Sequence, residues 1–107
     1  MNNTIQLILL ITVITLSEAL GQYLLRLGKE KNKEYYAIFT WLLYGVCTYL
    51  LLQTYNYTTM GKAEVYWDAL SAIIVPLIGV YAFKNNISLK GWIGILLIII
   101  GTFMLNL

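Results

Sequence analysis

The chain has 107 residues, of which 60% are hydrophobic and 11% charged, and its net charge is +2. A soluble domain carries about 25% charged residues, so this composition excludes an ordinary soluble domain, and +2 is too small to argue for nucleic acid. One cysteine and no histidine exclude an intrachain disulfide and a His/Cys zinc site.

A helix needs about 20 apolar residues at roughly 1.5 Å each to cross a bilayer. Four segments satisfy this, at about 4–27, 36–57, 62–83 and 89–107. The first follows Met-Asn-Asn-Thr, with no basic region before it and no small-residue cleavage site after it. It is therefore expected to be a span and not a cleavable signal peptide. Backbone groups in hydrocarbon must be satisfied inside the segment, so each span is expected to be helical. The joints are short: a charged loop at 28–34, a polar turn at 56–61, and a tight turn at 84–88 in which Ser88 is a candidate N-cap. Short joints force neighbouring helices to lie antiparallel. The expected fold is an all-α integral membrane protein, a single domain over 1–107 built as a four-transmembrane-helix bundle.

The first helix carries Glu18 near its middle. A carboxylate at mid-membrane costs roughly 2.5–3.5 kcal/mol on an insertion scale and is usually functional. Thr15, Gly21 and Gln22 lie three or four residues from it and share its face. This face reads as one that looks into a cavity or onto another helix. The plainer alternative is that Glu18 pairs with Arg26, or with a lysine elsewhere, for assembly alone.

In the second helix, Tyr44 and Thr48 share a face and are expected to reach the same cavity. Cys47 reads as packing. The third helix holds Lys62, Glu64, Trp67, Asp68 and Ser71 within ten residues. Glu64, Trp67, Asp68 and Ser71 fall on one face by their spacing. Two carboxylates, an indole and a hydroxyl are unsuited to lipid and point to an interior site. The indole offers a flat surface to a cation and the carboxylates offer charge. The alternative for Glu64 is a salt bridge to Lys62 at the membrane edge.

The fourth helix is almost entirely Ile and Leu, with Gly94 and Gly101 seven residues apart. Small residues at that spacing let two helices approach closely, so it reads as a dimerisation helix, or as intramolecular packing around Gly91 and Gly94.

Burial disfavours the charged form of a carboxyl group. An acidic set in a membrane interior can hold protons and exchange them for a cation, with no enzyme chemistry. No phosphate loop, nucleophile–base pair, cofactor motif or metal-ligand set is visible, so no catalytic residue and no cofactor are expected. Arg26, Lys29, Lys31, Lys33, Lys84 and Lys90 sit on the side of the first and third loops, against Lys62 alone on the other. That bias is expected to place loops one and three in the cytoplasm and both termini outside the plasma (inner) membrane.

Ser-Glu-Ala-Leu-Gly around Glu18, Tyr44 followed by Gln53-Thr54, Trp67, and the Gly94/Gly101 pair together resemble the small multidrug resistance family of the drug/metabolite transporter superfamily. The resemblance runs the length of the chain. It implies a dimer, commonly antiparallel, that exchanges protons for small cationic, often aromatic or guanidinium-bearing compounds. It implies that Glu18 is the essential carboxylate, and that Trp67 and Tyr44 are pocket aromatics. Glu64, where multidrug members have Tyr, and Asp68, where they have a small residue, set this chain apart as a divergent member. They suit a more highly charged cation, such as a polyamine or a guanidinium compound. The lysine/arginine bias suits a heterodimer with a related four-helix chain, or a parallel homodimer. Gln22 and Ser71 complete the candidate site. Two alternatives remain at this point. One is a flippase-like relative that moves lipid-linked carriers, and the other is a non-transporting subunit that modulates a partner.

Overall fold

The computed structural model describes residues 3–105. Four helices follow in order: α1 Asn3–Glu30, α2 Tyr36–Thr54, α3 Met60–Phe83 and α4 Leu89–Leu105. Helices α1, α2 and α3 are long and apolar enough to cross a membrane, and α4 is apolar over 17 described residues. The last residues of the fourth expected span, Asn106 and Leu107, lie outside the described residues, as does Met1.

The element ends differ from the expected ones for local reasons. Helix α1 runs on through Gly28, Lys29 and Glu30, with Lys31 still bonding its N–H to the Leu27 carbonyl. Reversal comes only at Asn32, which adopts a left-handed conformation at φ 57°. An asparagine tolerates that conformation better than most side chains. Helix α2 ends at Thr54, three residues before the expected Tyr57. There the bonds tighten to three-residue steps, from Tyr55 to Leu52, Asn56 to Gln53 and Tyr57 to Thr54. Helix α3 starts two residues early because the Thr59 hydroxyl accepts from the Lys62 N–H at 3.3 Å. Ser88 accepts from the Gly91 N–H at 3.1 Å at the start of α4. Helix α3 is continuous through Pro76.

The helices form a row more than a closed barrel. Helix α1 lies between α2 and α3, and α4 packs on the outside of α3. The whole measures 44 × 34 × 21 Å, so its thin dimension is about two helix diameters. Helices α1 and α3 run the same way: Tyr23 stacks near Phe83, ring centroids 5.6 Å apart, in the C-terminal halves of both. Loops one and three therefore share one end, and the turn between α2 and α3 is at the other.

The buried residues are mostly small. Beside Ile11 and Ile14 they are Thr15, Ala19, Gly21, Gly28, Thr40, Cys47, Thr54, Ala63 and Ala69. Large apolar side chains point outward; Trp41 is 75% exposed and Tyr81 82%. Such an inside-out arrangement is what lipid demands. Apolar surface gains nothing by leaving hydrocarbon, and tight packing of small residues holds helices together.

The α1–α2 seam has a regular repeat. At Ile14, Gly21 and Gly28, seven residues apart, α2 or its leading loop bonds to an α1 carbonyl. The Cys47 thiol donates to Ile14 at 3.4 Å, the Thr40 hydroxyl to Gly21 at 2.6 Å and the Lys33 N–H to Gly28 at 2.8 Å. Those partners step back by seven as α1 steps forward by seven, as an antiparallel pair requires. The seam is tightest at Gly28, where a Cβ would lie 2.6 Å from Tyr36 Cβ and 2.9 Å from the Lys33 carbonyl oxygen. Neither neighbour is a flexible tip that can swing aside. Gly28→Val is expected to lower stability in detergent by about 1–3 kcal/mol, the usual cost of overpacking. Gly61→Ala, where nothing lies within 4 Å, is the control. Equal thermal stability of the two variants would contradict the seam.

Candidate functional site

Glu18 is half-buried on α1 and accepts a hydrogen bond from the Ser71 hydroxyl of α3, Oγ to Oε1 2.5 Å. The bond ties two helices together at the level of the carboxylate. Arg26 does not pair with Glu18. It reaches the other way, to Glu30 at 3.6 Å, on the exposed end of α1. The assembly-only pairing of Glu18 with Arg26 is therefore absent.

On α3 the side chains of Glu64 and Asp68 lie side by side, and Glu18 is close enough to Glu64 to act on it electrostatically. No ion pair joins Lys62 to Glu64 among the described residues. The structure thus brings Glu18, Ser71, Asp68 and Glu64 into one acidic strip along the α1–α3 interface. Within one chain this strip is not an enclosed interior. Glu64 and Asp68 are exposed, and a single row of helices cannot cover them. Trp67 is mostly buried, and its indole Nε1 has no hydrogen-bond partner.

Tyr44 stands on the other flank of α1. Its ring lies over Gly21, where a Cβ would be 3.1 Å from Tyr44 Cε1, and the Gln22 side chain lies beside its hydroxyl. A cavity of about 1010 Å3 between α1 and α2 is lined by Gln22 and Tyr44, and it continues toward Arg26, Lys29 and Lys33.

Thr15 is fully buried and bonds back to the Ile11 carbonyl at 2.8 Å, so of the two expectations for its face the one that looks onto another helix holds. One expected participant is placed elsewhere. Thr48 is exposed and bonds to the Tyr44 carbonyl at 3.0 Å, one turn back on its own helix. Short hydroxyl side chains readily satisfy themselves this way. Gly94 and Gly101 have nothing within 4 Å of where a Cβ would be, and α4 buries none of its described residues. The pair does not serve packing within the chain. Thr40 and the role of Gly21 were missed from the sequence. The available signal was Gly21 and Gly28 at the same seven-residue spacing as Gly94 and Gly101.

The sequence profile described as Small Multidrug Resistance protein matches residues 5–98. The chain belongs to this family. Multidrug resistance protein EbrA of Bacillus atrophaeus is 29% identical over 96 residues, covering 90% of this chain and 91% of EbrA. Quaternary ammonium compound-resistance protein QacG of Staphylococcus sp. (strain ST94) is 31% identical over 100 residues, 94% of this chain and 92% of QacG. Multidrug transporter EmrE of Escherichia coli (strain K12) is 26% identical over 92 residues, 86% of this chain and 84% of EmrE. No solved structure gives a significant match. This small multidrug resistance protein is thus a multi-pass membrane transporter of that type, and the relatives it resembles are transport and resistance proteins, not enzymes.

The α1–α3 bridge has a direct check. Ser71→Ala is expected to lower unfolding free energy in detergent by about 1 kcal/mol, the usual net contribution of an intramolecular hydrogen bond. Ser71→Thr, which keeps the hydroxyl, is expected to recover most of that loss. Unchanged stability in Ser71→Ala would mean that the bond contributes nothing.

Proposed function

We propose that this protein exports a small cationic compound in exchange for protons, with Glu18 as the group that binds either one. The observation that carries this reading is the acidic strip: Glu18 held by Ser71, with Asp68 and Glu64 beyond it on α3. Carboxylates in hydrocarbon are costly, and a cation and a proton are the two occupants that relieve the cost. They compete for the same oxygens, which is the basis of exchange. Trp67 would stack against the cation, Tyr44 and Gln22 would orient it, and Ser71 would hold the Glu18 carboxylate in place. No covalent step is needed.

The exposed position of Glu64 and Asp68 favours a dimer. A second row of helices laid on the open face would enclose the strip and remove two carboxylates from lipid. Gly94 and Gly101, free of intrachain neighbours, would let α4 of one protomer approach α4 of another closely. Partners of this kind are a second copy or a related four-helix chain. Rocking of one half against the other around the strip would give alternating access. The lysine/arginine bias would put loops one and three in the cytoplasm of a plasma-membrane protein.

The name of QacG points to quaternary ammonium compounds for that relative. For this chain, two extra carboxylates favour a cation with more charge or more hydrogen-bond donors, such as a polyamine or a guanidinium compound. A diamine spanning Glu18 and the Glu64–Asp68 pair would satisfy both ends of the strip.

In proteoliposomes with an imposed proton gradient, Glu18→Gln is expected to abolish cation uptake while the protein still inserts and keeps its helical content. Full uptake by the variant would sink the assignment. Asp68→Asn is expected to weaken binding of a diamine by about tenfold or more, equivalent to about 1.4 kcal/mol, while a monovalent quaternary ammonium is affected less. An equal loss for both ligands, or none, would remove the preference for higher charge.

A further inference from the structure

We propose that the groove between α1 and α2 at the loop-one end binds the headgroup of an anionic phospholipid. Three independent features meet there. The first is depth. Helix α1 has 28 residues, about 42 Å at roughly 1.5 Å per residue, against a hydrocarbon core of about 30 Å. With Glu18 near the midplane, Lys29 lies about 16 Å above it by the same rise, which is the boundary where lipid phosphates sit.

The second is charge. Arg26, Lys29 and Lys33 line the groove against one carboxylate, Glu34. Arg26 shares the exposed Glu30. Lys29 and Lys33 have no ion-pair partner among the described residues. Leu25, Tyr36 and Ala37 add apolar and aromatic surface to the same lining. Cations beside apolar surface, between two membrane helices, fit a phosphate with an acyl chain alongside it. Free phosphate has no use for the apolar surface. The cavity of about 1010 Å3 is ample for a headgroup and its glycerol.

The third is rigidity. The loop that carries Lys33 is fixed by the left-handed Asn32, by the Asn32 N–H to the Lys29 carbonyl at 3.3 Å and by the Lys33 N–H to the Gly28 carbonyl at 2.8 Å. The backbone that carries the cations is preformed, so binding a headgroup orders the lysine side chains but not the loop.

The groove also reaches Gln22 and Tyr44. A positive rim repels a cation moving past this end, and a bound anionic headgroup cancels that repulsion. This consequence for transport rests on the cation-export reading above; the lipid site itself does not.

The test uses the purified full chain in neutral detergent, titrated with dioleoyl phosphatidylglycerol or dioleoyl phosphatidylcholine and read by native mass spectrometry. Each basic residue near an anionic headgroup is worth about fivefold in affinity, and exposed charges are partly screened. The expected result is a clear preference for phosphatidylglycerol, reduced about tenfold or more by R26Q/K29Q/K33Q and unchanged in K84Q/K90Q. Removing cations can disturb insertion. A37W therefore fills the groove while keeping every charge, and it is expected to lose the preference too. No preference in the unmodified protein, retention in A37W, or an equal fall in K84Q/K90Q would overturn the proposal. So would displacement of the lipid by millimolar inorganic phosphate. Glu18→Gln is expected to bind phosphatidylglycerol normally. A failed lipid site with a transport-dead Glu18→Gln would leave export standing, and the reverse pattern would leave the lipid site standing.

Discussion

The rest of this structure depends on a carboxylate held where there is no bulk water. Glu18 is fixed by the Ser71 hydroxyl across the α1–α3 interface. In water that bond would be a modest contribution. In a low-dielectric layer, a polar group left without partners is far more costly than in solution. The bond therefore sets which face of α1 meets which face of α3. It also sets the depth at which Asp68 and Glu64 stand relative to Glu18. Helix α1 becomes the centre of the row because it must satisfy two neighbours at once. Its Glu18 flank meets α3, while its Ile14–Gly21–Gly28 flank meets α2.

Those two flanks are built from different chemistry. The α2 side is a seam of small residues and hydroxyl or thiol donors aimed at main-chain carbonyls, as at Thr40 and Cys47. It is close-packed at Gly21 and Gly28. The α3 side is a carboxylate–hydroxyl bridge with more carboxylates beside it. The open face of α3 and the bare surface of α4 leave work for a second chain. Arg26, Lys29 and Lys33 line a basic groove at the loop-one end.

Much of this was legible in the residues. Four apolar runs and short joints dictate a membrane helix bundle, with one carboxylate inside the first run. Helical spacing puts Glu64, Asp68 and Ser71 on one face of α3. Thr48 departs from its expected place because a hydroxyl on a helix has a carbonyl of its own turn within reach, and sequence spacing cannot tell that partner from a cavity. The ends of α1 and α2 were displaced because helices stop where local bonds and a left-handed residue let the chain turn, and hydrophobicity does not record either. Gly21 and Gly28 were readable as a seam, yet a glycine pair says only that something comes close.

The sequence by itself determined the class, the number of helices, and the presence of carboxylates inside apolar segments. Those follow from one-body costs: each residue's preference for hydrocarbon or water, and each helix's fixed pitch. The tertiary structure decided which partner each polar group found. It gave Ser71 to Glu18, Glu30 to Arg26 and Thr40 to the Gly21 carbonyl. It also left Glu64 and Asp68 uncovered and α4 without a neighbour on its outer face. Such pairings are two-body matters set by distance across helices. Several partners were chemically acceptable for each group, and only packing chose among them.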